Sequence, residues 1–171
     1  MADVTISSLP LGTPSGNGII PFSLGGNTYS SPISGIFQNR PAFHVWNQTA
    51  QTLTGNMVMT FNATSTNQSR VFNQGGHYAD NRFTAPVAGV YQFSVNVLLN
   101  VASGGIYWGI GLVKNGEDTI EFSYAAGTTQ QSLNVSSTIK LAALDYIDVR
   151  ASTNGTIIID NSGTFSGHLV G

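Results

Sequence analysis

The chain has 171 residues, 20 of them glycine, and it contains no cysteine. Only 8% of its residues are charged, against roughly 25% in a typical domain, and the net charge is −2. The missing cysteines exclude a disulfide-stapled module, thiolate metal sites and thiol nucleophiles. The six basic residues are dispersed along the chain, which argues against nucleic-acid binding, because such binding depends on clustered Lys and Arg.

The low charge and the length together indicate how the protein stays in solution. A chain of this size suits one domain with a full hydrophobic core and room for a short appendage. So few charges leave large areas of uncharged surface. We therefore expect Asn, Gln, Ser and Thr to provide solubility, and part of the surface to be covered in an assembly.

The amino terminus has no basic stretch followed by an apolar stretch, and no segment is long and apolar enough to span a bilayer. This pattern predicts neither a signal peptide nor insertion into a membrane. We expect a protein made in a cytoplasm.

Residues 1–38 differ in composition from the remainder. Prolines 10, 14, 21 and 32 stand among several glycines, so no long helix or strand fits here. Apolar residues recur between them at Val4, Ile6, Leu9, Ile19, Ile20, Phe22, Ile33 and Ile36. The spacing predicts an extended arm that docks on a partner, with an arm packed along its own domain as the alternative. The predicted head is then 39–171.

From Pro41 onward, short strands recur at the spacing typical of an antiparallel sandwich. The predicted strands are Ala42–Trp46, Met57–Phe61, Arg70–Phe72 with His77–Tyr78, Val90–Leu99, Tyr107–Lys114, Thr119–Tyr124, Leu133–Leu141, Tyr146–Ala151, a short one at Ile157–Ile159, and Thr164–Val170. The Asn115-Gly116 pair predicts a hairpin with a type I′ turn, because both residues accept positive φ.

The clearest strand follows a turn signal at Ala85–Gly89. Its side chains alternate between an apolar set (Tyr91, Phe93, Val95 and Val97) and a polar set (Gln92, Ser94 and Asn96). Such alternation predicts a strand with one face on a core and the other free. By the same alternation we expect Phe43, Phe122, Phe165 and Trp108 to face the core.

This stretch resembles the signature of C1q-like domains, a Phe-x-x-Pro-x-x-Gly-x-Tyr-x-Phe run. Its positions here are Phe83, Pro86, Gly89, Tyr91 and Phe93. The resemblance extends to the strand at 41–45, the hairpin at 113–116, the turn at 141–149 and the closing strand at 165–170. Two residues depart from the family pattern: Leu144 stands where the family has glycine, and His168 replaces an aromatic residue. The resemblance implies an all-β, two-sheet jelly roll of the C1q and tumour-necrosis-factor type, assembled as a homotrimer.

The amino-terminal segment carries a second, looser resemblance. Ile6-Ser-Ser-Leu-Pro, Thr13-Pro-Ser-Gly, Ile20-Pro and Gly25-Gly-Asn-Thr-Tyr are similar to phrases that begin many tailed-phage virion proteins. The resemblance implies attachment to a virus particle. The residues expected to attach are Val4, Ile6, Leu9, Ile19, Ile20, Phe22 and Tyr29.

The C1q resemblance also implies where subunits meet. In that family the first strand belongs to the sheet that faces the threefold axis, and here it carries His44 and Trp46 on one face. The predicted subunit-interface residues are His44, Trp46, Gln92, Ser94, Asn96 and His168. Around a threefold axis a histidine would appear three times and could hold a metal ion, but an ordinary hydrogen-bonded histidine is the commoner case. We therefore predict no metal and no cofactor.

The residues suggest no active site. The histidines form no HxH or HExxH arrangement, no GxSxG elbow occurs, and the paired glycines lack the context of phosphate-binding loops. The acids at Glu117-Asp118 and Asp145-x-x-Asp148 are interpreted as turn residues, with a calcium site of the kind some C1q-like heads carry as the alternative. Tyr107 shares a strand face with Gly109 and Gly111. That face is either a shallow groove suited to a sugar or an ordinary sheet surface.

Three functional hypotheses follow. The first is a phage virion structural protein whose arm docks on the particle and whose trimeric head projects as a capsid decoration or short fibre, with adhesion to a host-surface glycan or receptor. The second is a cellular C1q-like or tumour-necrosis-factor-like ligand that binds a receptor or carbohydrate. The third, a jelly-roll enzyme, is disfavoured because no catalytic residues are apparent.

Overall fold

In the computed structural model, the described residues are 19–24, 27–32, 40–62, 71–103, 107–127 and 130–171. The chain divides into two units, Met1–Asn39 and Arg40–Gly171. The predicted attachment residues Val4, Ile6 and Leu9 lie outside the described residues, and so do Ile33 and Ile36. Within the described part there is no helix of the length and apolarity that a bilayer crossing needs.

The first unit contains a short antiparallel hairpin that the sequence did not predict. Strand β1 spans Ile19–Leu24 and strand β2 spans Asn27–Pro32. Their register places Phe22 opposite Tyr29, so two of the predicted attachment positions are cross-strand neighbours in the backbone.

The second unit consists of eleven strands. They are β3 (Ala42–Trp46), β4 (Gln51–Val58), β5 (Phe72–Gln74), β6 (Tyr78–Ala79), β7 (Arg82–Thr84), β8 (Gly89–Ser103), β9 (Trp108–Lys114), β10 (Asp118–Ala125), β11 (Gln131–Leu141), β12 (Tyr146–Ile159) and β13 (Thr164–Leu169). Every pairing between them is antiparallel.

These strands form two layers. The first sheet has the order β5-β3-β13-β8-β11. The second has the order β10-β9-β12, and β4 and β7 pair with successive parts of the opposite edge of β12. Strand β6 pairs with β7. The layers are joined where the end of β12 pairs with the end of β8. This arrangement confirms the predicted two-sheet antiparallel sandwich.

The core lies between the two sheets and is rich in aromatic side chains. Phe43 is at its centre, with ring centroids at 4.8 Å from Phe165, 5.0 Å from Phe83 and 6.3 Å from Phe93. Trp108 is fully buried, as predicted. Each aromatic ring buries a large apolar area, and edge-to-face pairs add further attraction, so this cluster is a main source of stability.

Several predicted elements differ from the observed ones. The predicted strand Met57–Phe61 is wrong in its bounds, because β4 ends at Val58 and the chain then turns inward to bury Met59 and Phe61. The predicted strands at 146–151 and 157–159 are one strand, β12, interrupted by a register shift between Thr153 and Thr156. The short strand β7 was not predicted.

The two predicted turns have backbone conformations that their residues explain in different ways. Asn115 and Gly116 have φ of 53° and 80°, the positive values that a type I′ turn requires at both central positions. Leu144 has a φ of 73° although it is not glycine. Its N–H donates to the Ala85 carbonyl at 2.8 Å, and the Asp145 side chain accepts from the N–H of Ala142, which together hold the turn in this conformation.

Candidate functional site

The outer side of the first sheet carries aligned rows of uncharged side chains, which we call the polar face. The middle row runs Phe72, His44, Ser166, Ser94, Ser136 across the five strands. The neighbouring rows are Gln74, Ala42, His168, Gln92, Thr138 on one side and Trp46, Thr164, Asn96, Asn134 on the other. These fourteen residues are the polar face.

The six predicted interface residues all lie on this face. They come from three strands that are adjacent in space, β3, β13 and β8, although the chain visits those strands far apart in sequence. Sequence reasoning missed the contribution of β5 and β11. The alternation of polar residues from Ser132 to Thr138 in β11 was the available signal, but which strands neighbour one another is decided by the tertiary fold.

A hydrogen-bonded ladder orders one half of the polar face. The Gln92 side-chain amide donates to the Ser136 hydroxyl at 2.9 Å and to the Phe93 carbonyl at 3.1 Å. The Thr138 hydroxyl donates to the Gln92 side-chain oxygen. These bonds fix the amide's orientation, so the face presents a defined set of donors and acceptors.

The other half, on β3 and β5, is aromatic. His44 lies beside Phe72, with ring centroids 6.3 Å apart, and Phe72 is 47% exposed. A shallow pocket of about 350 Å³ is lined by His44, Trp46, Ser162 and Thr164. The indole nitrogen of Trp46 is buried and has no hydrogen-bond partner in the described part of the chain. Buried N–H groups are usually hydrogen-bonded, so the Trp46 indole N–H is a donor free to bond an acceptor outside the described residues.

The polar face has no charged side chain in its three rows. The two histidines are diagonal neighbours, since His44 is opposite Ser166 and His168 is opposite Ala42. Burial lowers the pKa of His44, which favours the neutral imidazole. Among the described residues, no three His, Cys, Asp or Glu side chains are grouped so as to hold a metal ion.

Of the predicted acidic turn residues, Glu117 lies in the β9–β10 turn and Asp118 is the first residue of β10, whereas Asp145 and Asp148 have structural partners. Asp145 lies in the β11–β12 turn, as predicted, and accepts from the Asn115 side chain at 2.9 Å and from Lys114 at 2.8 Å. The hydrogen bond from Asn115, followed by those from Lys114 and Ala142, lowers the pKa of Asp145 to about 2. The prediction that Asp148 is a turn residue is wrong. It is a buried strand residue of β12, paired with Arg150 through two bonds of 2.9 and 3.1 Å.

The outer side of the second sheet corrects the predicted position of Phe122. Its side chain does not enter the core. Register pairs Phe122 with Gly111 and Tyr124 with Gly109, and a methyl group added at Gly111 would lie 2.1 Å from Cδ2 of Phe122. The ring therefore occupies the space that the missing side chains of the glycines leave. Of the two alternatives for this face, a shallow groove or an ordinary sheet surface, the space above Gly109 and Gly111 is filled by these rings.

Comparison with known proteins gives a consistent result. The family model described as the C1q domain matches residues 42–170. The globular domain of zebrafish complement 1qA protein is similar in structure, with a TM-score of 0.57 at 14% identity, covering 77% of this chain and 98% of that one. The tumour necrosis factor Eiger from S. frugiperda gives a TM-score of 0.58 at 11% identity, covering 78% of this chain and 94% of that one. No curated protein matches the sequence. The C1q and tumour-necrosis-factor type of jelly roll is thereby confirmed.

Proposed function

Because the chain belongs to the C1q domain family over residues 42–170, we propose that it is a non-enzymatic binding module that assembles as a homotrimer through its polar face. The polar face is the observation that carries this proposal. Neutral side chains that keep their hydrogen bonds cost little to bury, whereas charged ones cost much. Three rows without a charge, part of them held in a hydrogen-bonded ladder, therefore suit a subunit contact that is polar and hydrated.

The aromatic half of the polar face supplies the apolar part of the contact. Phe72 is opposite His44 on β5 and is exposed. Trp46 is two residues along β3 from His44, and its buried indole N–H has no partner among the described residues. Tryptophan is enriched among residues that dominate binding energy, since it combines a large apolar area with a donor. A closed ring of three subunits would cover the face in every copy.

The test of assembly is the solution mass of the full chain, measured by light scattering at micromolar concentration. We expect three times the 18.0 kDa of one chain. Ser94→Glu places a charge in the middle row and is expected to give a folded monomer. Thr52→Glu is the matched control, because Thr52 is exposed on β4 in the other sheet. A wild-type monomer, or a trimer that Ser94→Glu leaves intact, would refute the proposed interface.

We further propose that the module is a virion structural protein, with residues 1–38 attaching it to the particle and the head serving as a capsid decoration or short fibre. The support is the resemblance of the amino-terminal phrases to those of tailed-phage virion proteins. The proposal places the protein in the virion, next to capsid or tail proteins. Deleting 1–38 is expected to leave a trimer that no longer enters particles. A truncated chain that is still incorporated would contradict the attachment role.

A cellular ligand of the C1q or tumour-necrosis-factor type, binding a receptor or carbohydrate, is the second candidate. The family match favours it as much as the virion role, and both structural relatives reported above are animal proteins. The same deletion separates the two candidates. A cellular ligand would bind its target through the head, with no dependence on 1–38 and no association with particles.

A further inference from the structure

The long strand β12 contains an irregularity at Asn154 and Gly155, which we call the β12 bulge. In the register with β4, Thr153 is opposite Gly55, and Thr156 is opposite the very next residue of β4. Asn154 and Gly155 are therefore extra residues that have no counterpart on β4. Residues inserted in this way lie outside the regular ladder, so their backbone can change conformation at less cost than that of paired residues.

An Asn-Gly pair carries its own chemistry. The backbone nitrogen of the glycine can attack Cγ of the preceding asparagine and close a five-membered succinimide ring, since glycine has no side chain to hinder the approach. The new bond joins that nitrogen to Cγ, the bond from Cγ to Nδ2 breaks, and the side-chain nitrogen leaves as ammonia with the proton of the attacking nitrogen. Water then opens the ring, giving aspartate at one carbonyl and isoaspartate at the other. The overall change consumes one water and releases one ammonia.

The hydrogen bonds at the β12 bulge favour both sides of this reaction. The Gly155 N–H donates to the Thr153 hydroxyl at 3.1 Å, and that hydroxyl donates to the Tyr107 carbonyl at 3.3 Å. This series of bonds gives the proton of the attacking nitrogen a route away from it. The Tyr107 N–H donates to Oδ1 of Asn154 at 3.3 Å. That bond stabilises the negative charge that develops on the oxygen during the attack, and the oxygen stays in the ring that forms.

A second Asn-Gly pair, Asn115-Gly116, has the opposite arrangement. In both pairs the asparagine is exposed and the glycine is half-buried. Both polar atoms of the Asn115 side chain, however, are held by the β11–β12 turn, through Asp145 at 2.9 Å and the Tyr146 N–H at 3.0 Å. Closing a ring at Asn115 requires its bond to Asp145 to break, which costs free energy. Exposure alone would make the two pairs react equally, so the hydrogen bonds distinguish them.

We propose that Asn154-Gly155 is a self-modifying site, at which Asn154 converts spontaneously to aspartate and isoaspartate at a rate well above that of Asn115. The inference goes beyond the proposed binding function and does not depend on the trimer, because the β12 bulge is not part of the polar face. Each conversion makes the net charge of −2 more negative by one unit. Isoaspartate also lengthens the main chain of the β12 bulge by one carbon.

The test follows both pairs in the same molecules. The full chain is kept folded at neutral pH for weeks, and samples are digested with trypsin, which cuts after Lys and Arg. The two pairs then lie in separate peptides, 115–140 and 151–171, and the third Asn-Gly pair, at 17–18 outside the described residues, lies in the N-terminal peptide. Mass spectrometry with fragmentation detects each conversion as a gain of about 1 Da at the asparagine. We expect Asn154 to convert roughly tenfold faster than Asn115, or more.

The same chain in urea separates the effect of the fold from that of the sequence. Unfolding removes the hydrogen bonds that distinguish the two pairs. The rates at Asn154 and Asn115 are therefore expected to agree within about threefold in urea.

Variants at Thr153 test the route for the proton. Thr153→Val removes the hydroxyl and is expected to slow conversion of Asn154 roughly tenfold or more, with the rate at Asn115 unchanged. Thr153→Ser keeps a hydroxyl and is expected to convert within about threefold of the wild-type rate. Asn115 is the internal control in each variant, because a substitution that loosened the whole structure would raise the rate at both pairs.

Three results would overturn the proposal. The first is an Asn154 that stays intact in the folded chain over a period in which it converts in urea. The second is equal conversion of Asn154 and Asn115 in the folded chain. The third is a Thr153→Val variant that converts at the wild-type rate, which would refute the part played by the hydroxyl.

Discussion

The side-chain amide of Asn115 donates to Oδ1 of Asp145 at 2.9 Å, joining the β9–β10 hairpin to the β11–β12 turn across 30 residues of sequence. The same side chain makes a second bond to the β11–β12 turn, because the Asn115 side-chain oxygen accepts from the Tyr146 N–H at 3.0 Å. The residue that favours the turn locally is therefore also the one that links two turns in the tertiary structure.

This linkage predicts a pH dependence in acid. The pKa of Asp145 is lowered from 3.8 to about 2, chiefly by the hydrogen bond from Asn115. In the unfolded chain the carboxyl takes up a proton at the higher pH, so the stabilisation is present above about pH 4 and is lost as the pH falls through about 2. Urea unfolding midpoints of the wild type are expected to fall over this range.

The variant Asp145→Asn is expected to lower the midpoint at pH 7 and to lose this part of the acid dependence. Glu117→Gln, an exposed position on the hairpin, serves as the control. If the urea midpoints of the wild type and of Asp145→Asn fall equally with decreasing pH, the Asp145 carboxylate does not contribute to the acid dependence of stability.

Leu144 predicts a stabilising substitution. Its φ of 73° costs a non-glycine residue about 1–2 kcal/mol, and the side chain is 78% exposed, so it returns little by packing. Leu144→Gly removes this strain. Because glycine also raises the conformational entropy of the unfolded chain, which costs about 0.5–1 kcal/mol, the net gain in folding stability is roughly 0.5–1 kcal/mol. Thermal unfolding should show a rise in Tm of about 1–4 °C.

Leu144→Ala distinguishes strain from exposed apolar surface, because alanine keeps the Cβ that makes positive φ unfavourable. We expect its Tm to stay near that of the wild type. A Tm for the glycine variant no higher than for the alanine variant would rule out backbone strain as the cause.

His44 predicts a second pH dependence, near neutrality. Burial lowers its pKa, so the folded state disfavours the charged imidazole while the unfolded chain accepts the proton at about pH 6.5. Stability from this residue is therefore present above about 6.5 and declines as the pH falls below it. Chemical unfolding at pH 7.5 and at pH 5 should give a smaller difference for His44→Gln than for the wild type.

His77→Gln is the comparison for His44, since it removes a histidine from outside the polar face. If His44→Gln and His77→Gln show the same difference in stability between pH 7.5 and pH 5, the pH dependence does not come from the polar face.

Gly111 predicts a steric requirement. An added methyl group would meet Cδ2 of Phe122 at 2.1 Å and the Glu121 carbonyl at 2.9 Å, so Gly111→Ala is expected to destabilise by about 1–3 kcal/mol. Urea unfolding measures this loss. The double variant Gly111→Ala/Phe122→Ala should be less destabilised than the sum of the two single variants, since it removes the clash with the ring. If the losses of stability of the two single variants simply add, the ring of Phe122 does not occupy the space above Gly111.

Much of the sandwich was predictable because strand alternation is a local property. Tyr91 and Gln92 were assigned to opposite faces from their neighbours alone, and both assignments are confirmed. Phe122 shows the limit of that logic. Alternation says that Phe122 and Tyr124 share a face, but which face is buried depends on the glycines of a strand paired with it, and those positions are not visible within the strand itself.

The candidate site shows the same division. His44 and Trp46, or Gln92 and Ser94, could be placed on strand faces from the sequence, and the family resemblance indicated which sheet they belong to. That Ser136 and Phe72 complete the middle row was not predictable, because it depends on pairing between strands that are distant in the chain.

By itself, the sequence determined most strands of the second unit, the turn at Asn115-Gly116 and the low charge of the surface, since each follows from local residue types and their period. The tertiary structure alone decided which polar strand faces align into one uncharged surface, and that Phe122 lies outside rather than in the core. The physical reason is that a β-sheet is stabilised by non-local pairing, so a strand's neighbours, and hence the exposure of each face, are settled only when the whole sandwich closes.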